Sequence, residues 1–326
     1  MKAPRRTRRF AAKDVSRNVH DSHLRQQAAR AAVLSVLTLV QVFASGIAIG
    51  CVYGLVALSF VLIYKATETV SFMQGELLMV GAFGVLALHV AAGWPLVPAA
   101  AAGIAGMAGL GALLERTVLR RAIGQTHLTA LLLTFGLGML LRGAVGSVPA
   151  ASHSMHRLPL PFAGETLQLG ALAVATEHVV VIAATIVLAL LLTLFFRCTR
   201  AGLGLRACSE NAQVAALMGV SVAGMHTLAW ALGAGLAAVA GLLLAPVTFV
   251  HPNMGLVALK AFPAAVLGGM TSLPGALAGG VFLGVAEALA GLALPEGVKD
   301  VVPYLLLMLA LLLFPDGLAG GWRRRR

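Results

Sequence analysis

Apolar residues fill this chain in long runs separated by short polar stretches, and the runs have the length of bilayer crossings. Such stretches occupy about 33–64, 71–92, 94–114, 126–143, 174–196, 222–250, 257–270, 274–293 and 301–315. A helix needs roughly 20 apolar residues to cross the hydrocarbon. The pattern therefore predicts an all-α, polytopic transmembrane helical bundle of about 8–9 spans, broken or re-entrant segments included. Two stretches are irregular: 33–64 is overlong, and 257–270 is too short to cross comfortably.

Composition supports this and excludes the main alternatives. Of 326 residues, 59% are hydrophobic and 11% charged, too few charges for the surface of a soluble domain, which carries about 25%. Three cysteines, Cys51, Cys198 and Cys208, make no disulfide framework. The formal net charge is +12, and 13 of the 24 Lys and Arg lie at the two ends. Basic flanks on apolar spans indicate membrane orientation and lipid headgroup contact rather than nucleic-acid binding. The chain divides into a basic N-terminal leader (1–30), a transmembrane region (31–318) and a basic C-terminal tail (319–326). The leader is a poor signal peptide, because the uncharged run behind it far exceeds a 7–15-residue apolar core.

Basic residues in short loops set orientation. Glu115 to Arg121 and Arg197 to Arg206 are both expected to be cytoplasmic, which puts the polar stretch 144–173 outside and the terminal arginines inside. Three crossings before Glu115 then leave the basic leader outside, against the same rule. Either the first apolar run breaks into a double pass or re-entrant segment, or the leader violates the rule.

Catalytic chemistry is sparse, and no cofactor is expected. There is no G-x-x-x-x-G-K-[ST] loop, H-E-x-x-H, C-x-x-C or G-x-S-x-G. His153, Ser154 and His156 share a loop without a third metal ligand nearby, which reads as a solvated polar loop. Glu76 and Glu287 are the informative residues, since carboxylates inside apolar segments face a bundle interior or a water path. Each fits either a structural contact or a place on the translocation path. Lys65 and Glu68 read as headgroup anchors, and Arg142, at the end of a span, as a snorkelling side chain. Interrupted apolar segments occur at 64–76 and 262–280, and paired helix breaks in a transporter point to a pathway. The rows Gly46/Gly50/Gly54, Gly275/Gly279 and Gly280/Gly284 let helix backbones approach closely. Finally, the cytoplasmic stretch 199–220 holds a short helix with Ala212, Ala215, Ala216 and Gly219 at helical spacing, suited to docking against a soluble partner.

Three ordered blocks resemble the permeases of branched-chain amino acid ABC importers. Residues 46–83 resemble the family's first conserved block, with Ser71, Phe72, Met73, Gln74, Gly75 and Glu76 standing at its N-F-A-x-G-E motif. Ser71 and Met73 replace the usual Asn and Ala. Residues 200–220 are similar to the EAA loop, and 259–289 to the last conserved block. The resemblance implies the multi-pass permease subunit of an inner-membrane importer, itself not an enzyme. Its implied partners are separate ABC ATP-binding subunits, a second homologous permease and a periplasmic or extracellular solute-binding protein. Glu210, Ala215 and Gly219 are then expected at the ATPase-coupling loop, and Phe72, Gln74, Gly75 and Glu76 on the translocation path. Aliphatic amino acids lead as solute, urea and short amides are alternatives within the family, and an ion-gradient-driven secondary transporter is the reading from another class.

Overall fold

The computed structural model describes residues 6–122, 125–148, 155–160, 164–169, 172–295 and 297–313. Among them lie eleven α-helices: α1 (Arg6–Thr67), α2 (Gln74–Leu86), α3 (Leu96–Thr117), α4 (His127–Gly146), α5 (Thr176–Cys198), α6 (Arg200–Glu210), α7 (Ala212–Leu217), α8 (Val222–Thr248), α9 (Val257–Gly268), α10 (Leu273–Ala293) and α11 (Val302–Leu313). A π-helical turn, Ala87–Ala91, lengthens α2. Each of the nine apolar stretches forms a helix. Seven are long and apolar enough to cross a membrane, while α9 and α11 have 12 residues each and reach only about 18 Å at 1.5 Å per residue. The exception to the helical pattern lies in the polar stretch 144–173 and just beyond it. There Thr166–Leu169 pairs antiparallel with Leu172–Ala175 in a hairpin leading directly into α5. His153, Ser154 and the 319–326 tail lie outside the described residues.

Helix α1 is the central post. Its apolar part, Leu37–Thr67, is largely enclosed by the rest of the protein, with Leu55, Val56, Ala57, Val61 and Ile63 wholly buried. The helix is unbroken, so the first apolar run is not a double pass. Gln41 donates through Nε2 to the carbonyl of Ala173 in the hairpin at 3.0 Å. Leu62 and Ala66, at the other end, pack with Phe196, Leu205 and Ala229 beside α6. The post therefore runs from the hairpin end of the bundle to the end carrying the basic segments 115–121 and 197–206. The leader leaves at the hairpin end, opposite those segments, so the leader and the basic segments do not both satisfy the rule.

Glycine rows set how closely the post is gripped. Gly46, Gly50 and Gly54 face Gly284 and Gly280 of α10. A Cβ on Gly50 would lie 2.7 Å from the Cα of Val281, and one on Gly46 would lie 3.0 Å from the Cα of Val285. The other row of α10, Gly275 and Gly279, faces Gly268 and Ala264 of α9. One helix thus offers two small-residue faces, each meeting a different neighbour backbone to backbone, the arrangement lipid-embedded helices use where hydrophobic burial between them gives little driving force. Helix α8 closes the core by the same device. Gly233 meets Ile63 of α1, Gly241 meets Leu78 of α2, and Gly111 of α3 meets Trp230.

Gly284→Val is expected to prevent this fit, because the added atoms meet the backbone of Gly50. The variant should insert but lose its folded detergent-resistant form, seen as early unfolding in a thermal scan of the purified protein. Orientation is checked by single cysteines at Gln41, Gln168 and Ser209 in a background lacking Cys51, Cys198 and Cys208. Positions 41 and 168 should react with a membrane-impermeant maleimide from one side and 209 from the other.

Candidate functional site

The interrupted segment 64–76 meets, inside the bundle, the first residue of 262–280 and a further break at 246–256 that the sequence reading did not mark. Helix α1 ends where Thr67 turns its hydroxyl back to the carbonyl of Ile63, 2.9 Å away, and Glu68 adopts a positive φ of 53°. The chain crosses to α2 through Phe72, whose N–H donates to Thr134 Oγ1 of α4 at 3.3 Å. On the other side Pro246 lies in the last turn of α8, and Phe249 takes φ 62°, ψ 161°. That region is adopted almost only by glycine and costs about 1–3 kcal/mol for other residues. A 3₁₀ turn, Met254–Leu256, then leads into α9. The ring of Phe262 on α9 lies 5.9 Å from Phe72 and 5.8 Å from Phe60. Gly75 and Gly255 touch backbone to backbone, and a Cβ on either would overlap the other's carbonyl. Thus Phe72 and Gly75 stand where the two breaks join.

Gln74 and Glu76 behave differently. Gln74 is wholly buried, and neither atom of its amide, nor the buried hydroxyl of Ser71, has a hydrogen-bond partner among the described residues. A buried polar group without a partner costs about 1–3 kcal/mol. These atoms mark a polar spot in an otherwise apolar wall. Glu76 reaches Arg142 of α4, with Nε 3.1 Å from Oε1 and 3.3 Å from Oε2. Arg142 therefore does not snorkel to a headgroup; a carboxylate at its own depth holds it inside the bundle.

A second ionic group holds α9. Lys260 Nζ lies 2.8 Å from Glu287 Oε1 and 2.6 Å from Asp300 Oδ1, and Tyr53 of α1 donates to Glu287 Oε2 at 2.7 Å. Glu287 accordingly has a structural role, joining three helices. Lys260 escaped the sequence reading, although the same signal, a lone charge in an apolar run, marks it as clearly as it marks Glu76.

The third group sits at the end of the bundle beside α6. Glu115, expected in a loop, is instead in the last turns of α3 and wholly buried. Arg120 grips it with Nε at 3.1 Å and Nη2 at 2.9 Å, and Thr227 of α8 donates to it at 2.6 Å. Arg120 also donates to the carbonyl of Ala223 at 3.2 Å. The hydrogen bond to Glu115 raises the pKa of the Arg120 guanidinium. This cluster fixes the start of α8 to the end of α3.

Next to it, residues 199–220 form two short helices whose boundaries are written by capping residues. The Thr199 hydroxyl accepts from Gly202 N–H at 2.9 Å, Asn211 Oδ1 from Val214 N–H at 2.9 Å, and Ser221 Oγ from Gly224 N–H at 3.3 Å. Side-chain oxygens there satisfy N–H groups that a helix start leaves open. Gly219, at φ 85°, ends α7, with its N–H on the carbonyl of Ala216 and that of Val220 on Ala215, the left-handed stop that glycine makes without strain. Ala215 faces inward at 4% exposure, while Leu217 and Met218 stand 87% and 80% exposed and Val214 is also open. Glu210 is exposed. The small residue seats α7 on the protein, and large apolar ones project from it.

Comparison with known proteins agrees with this architecture. Residues 42–311 match the family model described as branched-chain amino acid transport system, permease component. The chain is 34% identical over 298 residues to the high-affinity branched-chain amino acid transport system permease protein LivH of Escherichia coli K12, covering 87% of this chain and 96% of that protein. It is 32% identical to the corresponding protein BraD of Pseudomonas aeruginosa, over 86% and 95% of the two chains. To the probable LivH of Methanocaldococcus jannaschii it is 26% identical, over 83% and 89%.

The Glu115 cluster predicts an asymmetry. Arg120→Met leaves a buried carboxylate without its partner and should destabilise the purified protein more than Glu115→Gln, which leaves only a half-exposed guanidinium to water. Thermal melting of the two variants in one detergent checks the order.

Proposed function

Because the chain belongs to the branched-chain amino acid transport system permease family, we propose that it is the inner-membrane permease subunit of an ATP-driven importer of aliphatic amino acids. The observation that carries this reading is the exposed helix pair 199–220. At one end of a membrane bundle it presents Val214, Leu217 and Met218 to the aqueous side, and apolar side chains there call for a protein partner. An ATP-hydrolysing subunit is that partner. The chain itself has no P-loop, so the energy must come from outside it. A second permease subunit and a solute-binding protein complete the assembly.

Coupling follows from how the helix pair is mounted. The turn at Gly219 and Val220 runs straight into the Ser221 cap of α8, and the first turns of α8 are bound to α3 by Glu115, Arg120 and Thr227. A push on α7 is delivered to α3 and α8 together. Since α8 packs on α1 and α2, the motion reaches the joint at Phe72, Gln74, Gly75 and Glu76. Glu210, Ala215 and Gly219 act in this arrangement as the rim, the seat and the stop of the docking helix. The ion-gradient alternative is less well supported, because Glu76 and Glu287, its candidate coupling carboxylates, are both held in ion pairs.

Leu217→Glu combined with Met218→Glu should leave the protein in the membrane yet remove the ATP-binding subunit from a mild-detergent pull-down. Gly219→Val, which forces a β-branched residue into positive φ, should lower ATP-driven leucine uptake at least tenfold at equal membrane levels. Retained uptake in either variant would sink the coupling role of α7.

A further inference from the structure

The ion pair between Glu76 and Arg142 is built in a way that mere bracing of α2 against α4 does not require. Arg142 meets the carboxylate with Nε alone. Among the described residues its two Nη groups, the open end of the fork, have no partner, and the side chain is 30% exposed. Glu76 is 14% exposed, and its Oε2 lies against Gly255, where a Cβ would come within 3.2 Å of it. On the same helix as Arg142, Phe135, Met139 and Leu140 are at least half exposed. A partly open charge pair at this depth is stable only where water or a polar solute reaches it, since hydrocarbon does not compensate it.

We infer that Glu76 and Arg142 receive the two charged ends of a zwitterionic α-amino acid during its passage, Arg142 taking the carboxylate on its free Nη edge and Glu76 the ammonium. This rests on the permease reading above and narrows its substrate. One acid and one base of matched charge at 3.1 Å complement a solute whose ammonium and carboxylate are both attached to one carbon. Urea and simple amides carry no charge and have no use for the pair. The planar fork binds a carboxylate through two parallel N–H bonds, which a lysine ammonium does not reproduce. The apolar group of Phe72, Phe262 and Phe60 lies at the same joint, placed to accompany an aliphatic side chain. Arg142 is thereby a solute-contacting residue, and its pairing with Glu76 is the resting state in which each charge satisfies the other.

The test is uptake of radiolabelled L-leucine at saturating concentration by cells carrying the complete transporter. The variants are Arg142→Lys, Arg142→Gln and the exchanged pair Glu76→Arg/Arg142→Glu, compared at equal membrane levels by immunoblot. Arg142→Lys keeps the charge and a bond to Glu76, so it retains the brace while losing the fork. All three variants are expected to fall at least tenfold below the unaltered protein. If Arg142→Lys or the exchanged pair transports leucine at the unaltered rate, the pair only braces α2 against α4 and the proposal is overturned. Should the unaltered complex fail to take up leucine while taking up urea or acetamide, the amino-acid reading falls, and this assignment with it.

Discussion

Everything in this fold depends on how closely helix backbones approach one another around α1. In a bilayer, apolar side chains gain little by leaving lipid for protein, so helix contact must come from close packing. Glycines supply it here on two sides of the post: its own Gly46, Gly50 and Gly54 against Gly280 and Gly284 of α10, and Gly233 of α8 against Ile63. Wherever two backbones touch, neither helix can slide without opening a gap or driving a carbonyl into a Cα. The post, α8 and α10 thus form a rigid centre, and the more loosely packed α4 and α5, whose outer faces are open, are hung from it.

Against that centre the charged residues form a second layer of organisation. Each of the three ionic groups joins elements far apart in sequence: Glu76 with Arg142, Lys260 with Glu287 and Asp300, and Arg120 with Glu115 and Thr227. They differ in closure. In the Glu115 group the carboxylate is shut in, held by Arg120 and Thr227 while the guanidinium reaches the surface, which suits a joint that must transmit force without yielding. The Lys260 group is braced by Tyr53 from the post. The Glu76 group is joined through Arg142 Nε, with both Nη groups left over among the described residues, and it lies where both helix breaks meet. Burial of an ion pair gives little net stability, so the value of these groups lies in fixing which elements move together.

Strain is concentrated in the same places. Glu68 and Phe249 are the two non-glycine residues with positive φ among the described residues, one at each break. Arg157 lies over the ring of Phe249 at 5.1 Å, and the neighbouring Val250 exchanges backbone hydrogen bonds with His156 at 2.9 Å in each direction. The loop preceding the hairpin therefore pins the strained end of α8, and the polar stretch that looks featureless in sequence holds the outer break in its unusual conformation.

Much of this was legible before any coordinates. The nine apolar stretches, the glycine rows and the value of Glu76 all follow from local rules: span length, small-residue spacing, and the cost of charge in hydrocarbon. Such rules act along the chain, and the chain displays them. What the sequence could not display is which distant residues meet. Arg142 looked like a snorkelling end residue until α4 was placed beside Glu76, Glu115 like a loop residue until Arg120 and Thr227 closed around it, and Ala215 like an outward face until α7 was seated. The direction of the leader was likewise decided by tertiary structure, through one unbroken helix and its contacts at both ends. A one-dimensional pattern records how much a residue costs in the membrane; only packing decides which partner offsets that cost.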